Sequence, residues 1–264
     1  MIDLHCHFLP GIDDGAQTLA DGLALAQAAA ADGITYSVMT PHIHPGRYEN
    51  TRSTIEKAFK DFRLALRKAR VPLHIGMAAE VRLSPDIVAL LSQNEVPFLG
   101  ELDGYRIILL EFPHTQITPG ADKLIERLLQ HNIRPLIAHP ERNLDVIRDL
   151  SKIEPFVEMG CFLQITAGAL VGRFGRAPQR RALQLLEFDV FKVLASDAHN
   201  LTGRRPALRE GMEAAATQSG HDDGAAPFVF PLSGLPSVEA CGLGTDEIGP
   251  CEVTREAVST SSRR

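Results

Sequence analysis

Two histidines separated by one residue, His5 and His7, are the first side chains whose types and spacing could support chemistry. They lie in the apolar segment MIDLHC, which is typical of a short buried strand, and residues two apart on a strand point to the same face. Both imidazoles could therefore bind one metal ion, although a lone His-x-His motif is equally consistent with two polar residues at a strand end. The glycine-flanked GIDDG segment that follows adds Asp13 and Asp14, which could supply a carboxylate ligand or only form a turn.

Residues that can bind a metal recur at the ends of other apolar segments with the character of strands. They are His42 after SVMTP, Glu80 after HIGMAA, Glu111 after RIILL, His139 after RPLIA, and Asp197 with His199 after KVLAS. Charged residues are rarely buried without a partner or a metal, so this repetition is stronger evidence than any single motif. With His5, His7 and one of the two aspartates they make nine nitrogen and oxygen ligands, a set that suits two or three divalent ions such as Mn, Fe or Zn.

These side chains can meet only if the strands that carry them are neighbours in one sheet. Apolar periodicity and capping signals predict strands and helices that alternate about seven times over the first 216 residues. The predicted strands are 1–6, 34–40, 73–81, 105–112, 133–139, 161–166 and 191–197, and the predicted helices are 18–33, 52–70, 84–93, 119–129, 143–158, 177–188 and 205–216. This repetition implies a parallel sheet, and the lack of a linker favours one closed barrel, whose strand ends share a rim, over a doubly wound open sheet.

The composition excludes several classes of protein. Of the 264 residues, 44% are hydrophobic and 23% are charged, and the net charge of −6 argues against a general nucleic-acid binder. No apolar run reaches the roughly 20 residues of a transmembrane helix, and the N-terminus lacks a signal-peptide pattern, so we expect a cytoplasmic protein without membrane insertion. None of the four cysteines begins the C-x5-R loop of thiol-based tyrosine phosphatases, which excludes cysteine-phosphoenzyme chemistry.

The chain changes character after residue 216. Residues 217–264 hold six Gly and four Pro, seven acidic residues against three basic ones, and neither helical nor strand periodicity. We therefore predict a barrel over 1–216 and a disordered or loosely packed tail over 217–264. Natural divergence and a shifted reading frame near residue 216 both remain open as its origin.

Five motifs in order carry a resemblance to a known family. MIDLHCHFLPGIDDG, TPHIHPGRYEN, LLEFP, IAHPERN and SDAHNLTGRRP resemble those of bacterial PHP-superfamily protein-tyrosine phosphatases, the manganese-dependent enzymes encoded with capsule and exopolysaccharide systems. The resemblance covers about residues 1–215 and implies an α/β fold, a distorted (β/α)7 TIM-like barrel of the PHP type. It also implies a centre of three divalent metal ions, Mn²⁺ in the family, with Fe or Zn as alternatives.

The resemblance further implies a role for each site residue. The first metal would be held by His5, His7, Glu80 and Asp197, the second by Glu80, Glu111 and His139, and the third by Asp14, His42 and His199. It favours Asp14 over Asp13 as the ligand. Arg142 and Arg204 match the arginines that grip the substrate phosphate, as a guanidinium fork suits phosphate oxygens. The implied reaction is hydrolysis of phosphotyrosine by a metal-activated hydroxide. Because the leaving group of phosphotyrosine is a phenolate, a general acid is less necessary.

The implied protein substrate is the C-terminal tail of a bacterial tyrosine autokinase that controls polysaccharide export. Two alternatives stay open at this point. One is a phosphoesterase of the same superfamily that acts on a small molecule such as histidinol phosphate or on a nucleic-acid phosphodiester, and the other is a catalytically weak, kinase-binding scaffold. The sequence leaves the oligomeric state open.

Overall fold

The computed structural model describes residues 1–219, and the predicted tail beyond Ser219 lies outside the described residues. Ten strands are present within this part. They are β1 Ile2–Cys6, β2 Tyr36–Met39, β3 His42–Ile43, β4 His74–Met77, β5 Glu80–Arg82, β6 Gly100–Leu102, β7 Tyr105–Glu111, β8 Ile133–Ala138, β9 Phe162–Thr166 and β10 Lys192–Ala195. All of the pairings between these strands are parallel except that of β6 with β7.

The strands follow one another around a barrel in chain order. One sheet has the order β1-β2-β4, and the other has the order β10-β9-β8-β7-β5-β3. The chain runs from β2 directly into β3 and from β4 directly into β5. The two sheets are therefore joined through these two pairs of consecutive strands. A parallel bridge between Cys6 and Ala198 joins the chain after β10 to the end of β1. The α/β barrel of seven β/α units predicted from the sequence is confirmed, with the predicted strand 73–81 split into β4 and β5.

Nine α-helices surround these strands in the described part of the chain. They are α1 Leu19–Asp32, α2 Arg52–Ala69, α3 Ile87–Ser92, α4 Ala121–Gln130, α5 Leu144–Arg148, α6 Glu154–Glu158, α7 Ala167–Leu170, α8 Arg176–Leu186 and α9 Arg209–Ser219. The short helix α7, the two-residue strand β3 and the antiparallel strand β6 were not predicted. No described helix is long and apolar enough to cross a membrane.

Capping residues that are close in sequence mark both ends of α1. Thr18 and Asp21 form a reciprocal capping box at α1, and Gly33 ends that helix in the left-handed conformation, in agreement with the predicted range 18–33. The predicted helix 84–93 begins later than expected, because the Ser84 hydroxyl donates to the Asp86 carboxylate and α3 begins only at Ile87.

Two apolar layers hold the barrel together. A large cluster lies between the strands and the helices, and it includes Phe59 and Phe62 of α2 together with Ile108 and Leu110 of β7. A smaller cluster fills the barrel interior and includes the alternate positions of β7, Ile107 and Leu109, together with members of the other strands. This alternation on β7 continues to Glu111, so the barrel wall leads directly from an apolar interior to a polar rim.

Candidate metal centre

An irregularity in β1 brings its histidines to the inner rim. The register of β1 against β2 shifts between Asp3 and Cys6. Leu4 packs in the inner apolar cluster, whereas Cys6 packs in the outer layer, as expected for a residue between His5 and His7. Because strict alternation from Leu4 would direct His5 outward, the register shift places both His5 and His7 on the inner side with Leu4.

Four fully buried side chains form the deepest cluster of potential ligand atoms. His5, His7, Glu80 and Asp197 each offer an atom within 4.8 Å of the others. His5 Nε2 lies 3.1 Å from Glu80 Oε2 and 3.3 Å from Asp197 Oδ1, and His7 Nε2 lies 3.3 Å from the same Glu80 oxygen. The end of β1, the start of β5 and the residues after β10 thus supply this cluster, and Glu80 Oε2 approaches both histidines.

A second cluster lies nearer the solvent. It consists of His7, Asp14, His42 and His199. Asp14 Oδ1 is 3.3 Å from His42 Nε2 and 3.5 Å from His199 Nε2, and the Asp14 side chain is 39% exposed. The adjacent Asp13 is buried and its carboxylate contacts His7 Nδ1, whereas Asp14 faces the rings of His42 and His199.

The remaining two predicted ligands, Glu111 and His139, also lie close to Glu80. His42, Glu80 and Glu111 form a third group of closely spaced ligand atoms. His139 Nε2 lies 2.8 Å from Glu80 Oε1. His139 and Asp197 both have positive φ, 33° and 50°, an uncommon conformation for residues other than glycine that is found at functional sites. The structure therefore brings all nine predicted ligands to one rim of the barrel.

These side chains fit divalent cations. Four of their buried nitrogen and oxygen atoms make no well-aligned hydrogen bond within the described residues, although each faces an ionisable group at 3.1 to 3.5 Å. These atoms are His42 Nδ1, Glu111 Oε2, Asp197 Oδ1 and His199 Nε2. Buried polar atoms normally make well-aligned hydrogen bonds, so four that do not, all at one rim, fit a site where they would share a cation. Imidazole and carboxylate groups without thiolates are the donors that Mn, Fe and Zn accept.

Protonation favours the same conclusion for two histidines. Burial, together with the positive charge of Arg142, lowers the pKa of His139 to about 3. Burial and the neighbouring His7 lower the pKa of His199 to about 4. Both imidazoles are neutral near pH 7, which is the form that binds a metal.

The carboxylates differ in protonation because their surroundings differ. Burial would raise the pKa of Asp197, but Arg204 and Arg142 hold it well below the ordinary value. Burial and the Glu80 carboxylate raise the pKa of Glu111 to about 7. Two acidic groups so close together favour proton sharing unless a cation neutralises them.

Both predicted phosphate-binding arginines are at the rim. Arg142 Nη1 lies 2.7 Å and Arg204 Nη2 lies 2.6 Å from Asp197 Oδ2. They line a cavity of about 240 Å³ that opens above the ligand clusters, and its other lining residues are Asp14, His42, His44, Arg47, Tyr48, Arg82, Glu111, His114 and His139. With four arginines on its walls, this cavity suits an anionic substrate.

Sequence reasoning missed several contributors to the site. Arg82 lines the cavity with its Nε 3.2 Å from Glu111 Oε2. Tyr48, which the sequence favoured as an ordinary packed loop aromatic, stacks on His42 at the cavity wall with ring centroids 5.5 Å apart. Gln164, fully buried, contacts His5 from β9. The signal for Gln164 was a lone amide in the apolar strand CFLQIT, and the signal for Arg82 was a charged residue two positions after Glu80 on one strand face.

Comparisons with known proteins agree with this arrangement. The family model described as "Capsular polysaccharide synthesis, CpsB/CapC" matches residues 1–229. Tyrosine-protein phosphatase YwqE of Bacillus subtilis is 35% identical over 212 residues, which cover 80% of this chain and 82% of that protein. Tyrosine-protein phosphatase CpsB of Streptococcus pneumoniae is 29% identical over 229 residues, which cover 83% and 91%.

Solved structures give the same result. A crystal structure from work on YwqE and CpsB, described there as "unique metal-dependent tyrosine phosphatases", superposes with a TM-score of 0.77 at 34% identity over 84% of this chain and 89% of that one. A mutant organophosphorus hydrolase superposes with a TM-score of 0.52 at 14% identity, which shows a shared fold alone.

Proposed function

The chain belongs to the CpsB/CapC family of capsular polysaccharide synthesis proteins, and from this membership we propose that it is a metal-dependent protein-tyrosine phosphatase. The observation that carries the proposal is the meeting of nine imidazole and carboxylate ligands with two arginines at one rim of the barrel. The barrel of residues 1–216 would contain this whole centre, with 217–264 as an appended segment.

We assign the ligands to three divalent ions, with Mn²⁺ as the expected metal. His5, His7, Glu80 and Asp197 would hold the first, Glu80, Glu111 and His139 the second, and Asp14, His42 and His199 the third. The first set coincides with a cluster of closely spaced atoms, whereas the others overlap with clusters that also include His42 or His7. Bound divalent ions supply a water nucleophile at neutral pH and positive charge for the oxygens of the transferred phosphoryl group.

The arginines would bind and orient the phosphate ester. Each anchors one nitrogen on Asp197 Oδ2, which fixes the direction of its guanidinium group and leaves other N–H groups for phosphoryl oxygens. Charge on those oxygens is stabilised by donors whose positions are fixed before the reaction. The leaving group is a phenolate. Its conjugate phenol has a pKa of about 10, so the phenolate departs without a strong general acid.

The substrate that we propose is phosphotyrosine in the C-terminal tail of a bacterial tyrosine autokinase of polysaccharide export, reached in the cytoplasm. The family description, capsular polysaccharide synthesis, supports this choice. A cavity of about 240 Å³ with the aromatic Tyr48 at its wall has room for a phosphate and part of an aryl ring.

The direct test is hydrolysis of p-nitrophenyl phosphate and of a phosphotyrosine peptide by the full chain. Treatment with EDTA followed by dialysis should abolish both activities, and added Mn²⁺ should restore them while elemental analysis counts the bound ions. Activity that survives complete metal removal would refute the proposal. A parallel assay with histidinol phosphate tests the substrate class, since preference for that ester would replace a protein substrate by a small molecule.

A further inference from the structure

We propose that Asp13 and Gln164 are a matched pair of positioning residues, each of which orients one histidine of the His-x-His motif and ties it to a ligand on another strand. The inference rests on the proposed metal-dependent function. Neither residue belongs to the predicted ligand set, and both are buried.

Asp13 serves the outer histidine. Its Oδ2 lies 2.7 Å from His7 Nδ1 and accepts the backbone N–H of His42 at 3.1 Å, while its Oδ1 accepts the N–H of Gly15 at 2.9 Å. A carboxylate can only accept, so His7 carries its proton on Nδ1 in this bond and directs Nε2 toward Glu80.

Gln164 of β9 repeats this arrangement at the inner histidine. Its Oε1 lies 2.9 Å from His5 Nδ1 and accepts the backbone N–H of His139 at 3.2 Å. Because the His139 N–H requires an acceptor, the atom at this position is the amide oxygen, and His5 must donate from Nδ1. His5 Nε2 then faces Glu80 and Asp197.

The two arrangements are equivalent in their bonds. In each, one oxygen accepts from Nδ1 of a motif histidine and from the main-chain N–H of a second ligand residue, which is His42 for Asp13 and His139 for Gln164. The result is two Nε2 atoms 3.1 Å apart, both aimed at the same cluster. Residues that hold a ligand histidine in one tautomer strengthen metal binding without touching the metal.

The pair differs in charge. Asp13 is a carboxylate, while Gln164 is a neutral amide on a strand whose other residues are apolar or hydroxylic. Glu80, Glu111 and Asp197 already bring acidic groups to the centre. A neutral acceptor beside His5 fixes the ring without adding another buried negative charge beside Glu80, Glu111 and Asp197.

The test measures Mn²⁺ binding to the metal-stripped full chain, with the EPR signal of free Mn²⁺ as the readout. Gln164→Met keeps the length of the side chain but removes the acceptor, and it should bind Mn²⁺ at the tightest site about 10- to 100-fold more weakly. Gln164→Glu restores an acceptor and should bind within about threefold of wild type or tighter. Ile165→Val, a conservative change at the next buried residue of β9, is the matched control and should bind as wild type.

Asp13→Ala provides an independent variant outside the strands and should show a loss comparable to that of Gln164→Met. It decides the question if Gln164→Met does not fold, as judged by thermal unfolding of the metal-free protein. Wild-type affinity in Asp13→Ala, or equal weakening in Gln164→Met and Gln164→Glu, would overturn the inference. If the wild-type protein itself binds no Mn²⁺ and hydrolyses no phosphotyrosine, the proposed function fails, which is a different result.

Discussion

Replacement of Arg142 by alanine should remove most turnover while the metals stay bound. The Arg142 side chain is 13% exposed, and its Nη1 is anchored on Asp197 Oδ2, with the guanidinium carbon 5.0 Å from the centre of the Phe174 ring. This anchored guanidinium leaves donors on the cavity side for phosphoryl oxygens. The change therefore deletes fixed positive charge from the place where negative charge accumulates.

The size of the effect follows from the hydrogen bonds lost. Two charge-assisted bonds to the phosphoryl group are together worth about 3–5 kcal/mol, which corresponds to about 10²- to 10⁴-fold in kcat/KM. Arg204 bonds the same oxygen of Asp197 and stays in place, so we expect the lower part of that range, about 10²- to 10³-fold. Arg142→Lys should recover only part of the loss, since an ammonium group lacks the planar fork.

The assay measures kcat/KM for p-nitrophenyl phosphate and for a phosphotyrosine peptide at saturating Mn²⁺, with elemental analysis of each preparation. Arg205→Ala is the control, because Arg205 is 55% exposed, pairs with Glu210 at 3.6 Å and does not line the cavity. A folded Arg142→Ala protein with kcat/KM within about threefold of wild type would contradict the role of this arginine. Loss of metal in the same variant would instead assign Arg142 to holding Asp197.

Three further predictions concern folding. Thr18→Ala removes the capping box of α1 and should lower the free energy of unfolding by about 1 kcal/mol in urea titration; an unchanged value would show that the cap is dispensable. Gly15→Ala would place a Cβ 2.1 Å from the carbonyl oxygen of His7, so Mn²⁺ affinity and melting temperature should both fall, and wild-type values would contradict this packing. Burial raises the pKa of Glu141 to about 7 from an ordinary 4.5, so ionisation destabilises the fold increasingly as pH rises from 4.5 to 7. Glu141→Gln, which can still accept the N–H of Thr166, should therefore be more stable than wild type at pH 8 by up to about 3 kcal/mol but not at pH 4; equal stability at both values would refute the shift.

Local patterns determined most elements of the barrel. The helix α2 was predicted over 52–70 and spans Arg52–Ala69, because apolar residues at helical spacing and flanking signals all lie within the segment. Strand β6 escaped prediction because its three residues gain their order only from pairing with β7. The start of α3 was predicted three residues too early, because the Ser84 hydroxyl bonds the Asp86 side chain rather than a helical N–H.

The sequence by itself determined the chemistry available to this protein. It placed imidazoles, carboxylates and arginines after apolar strands, and parallel topology requires such strand ends to meet on one rim. Only the tertiary structure decided how each side chain is used. The register shift after Asp3 directs His5 inward, and contacts across the barrel separate Asp13, which holds His7, from Asp14, which faces His42 and His199. Gln164 contacts His5, which is 159 residues away in the sequence. A one-residue slip in strand register would turn the Gln164 side chain to the other face, so no local pattern could have specified that contact.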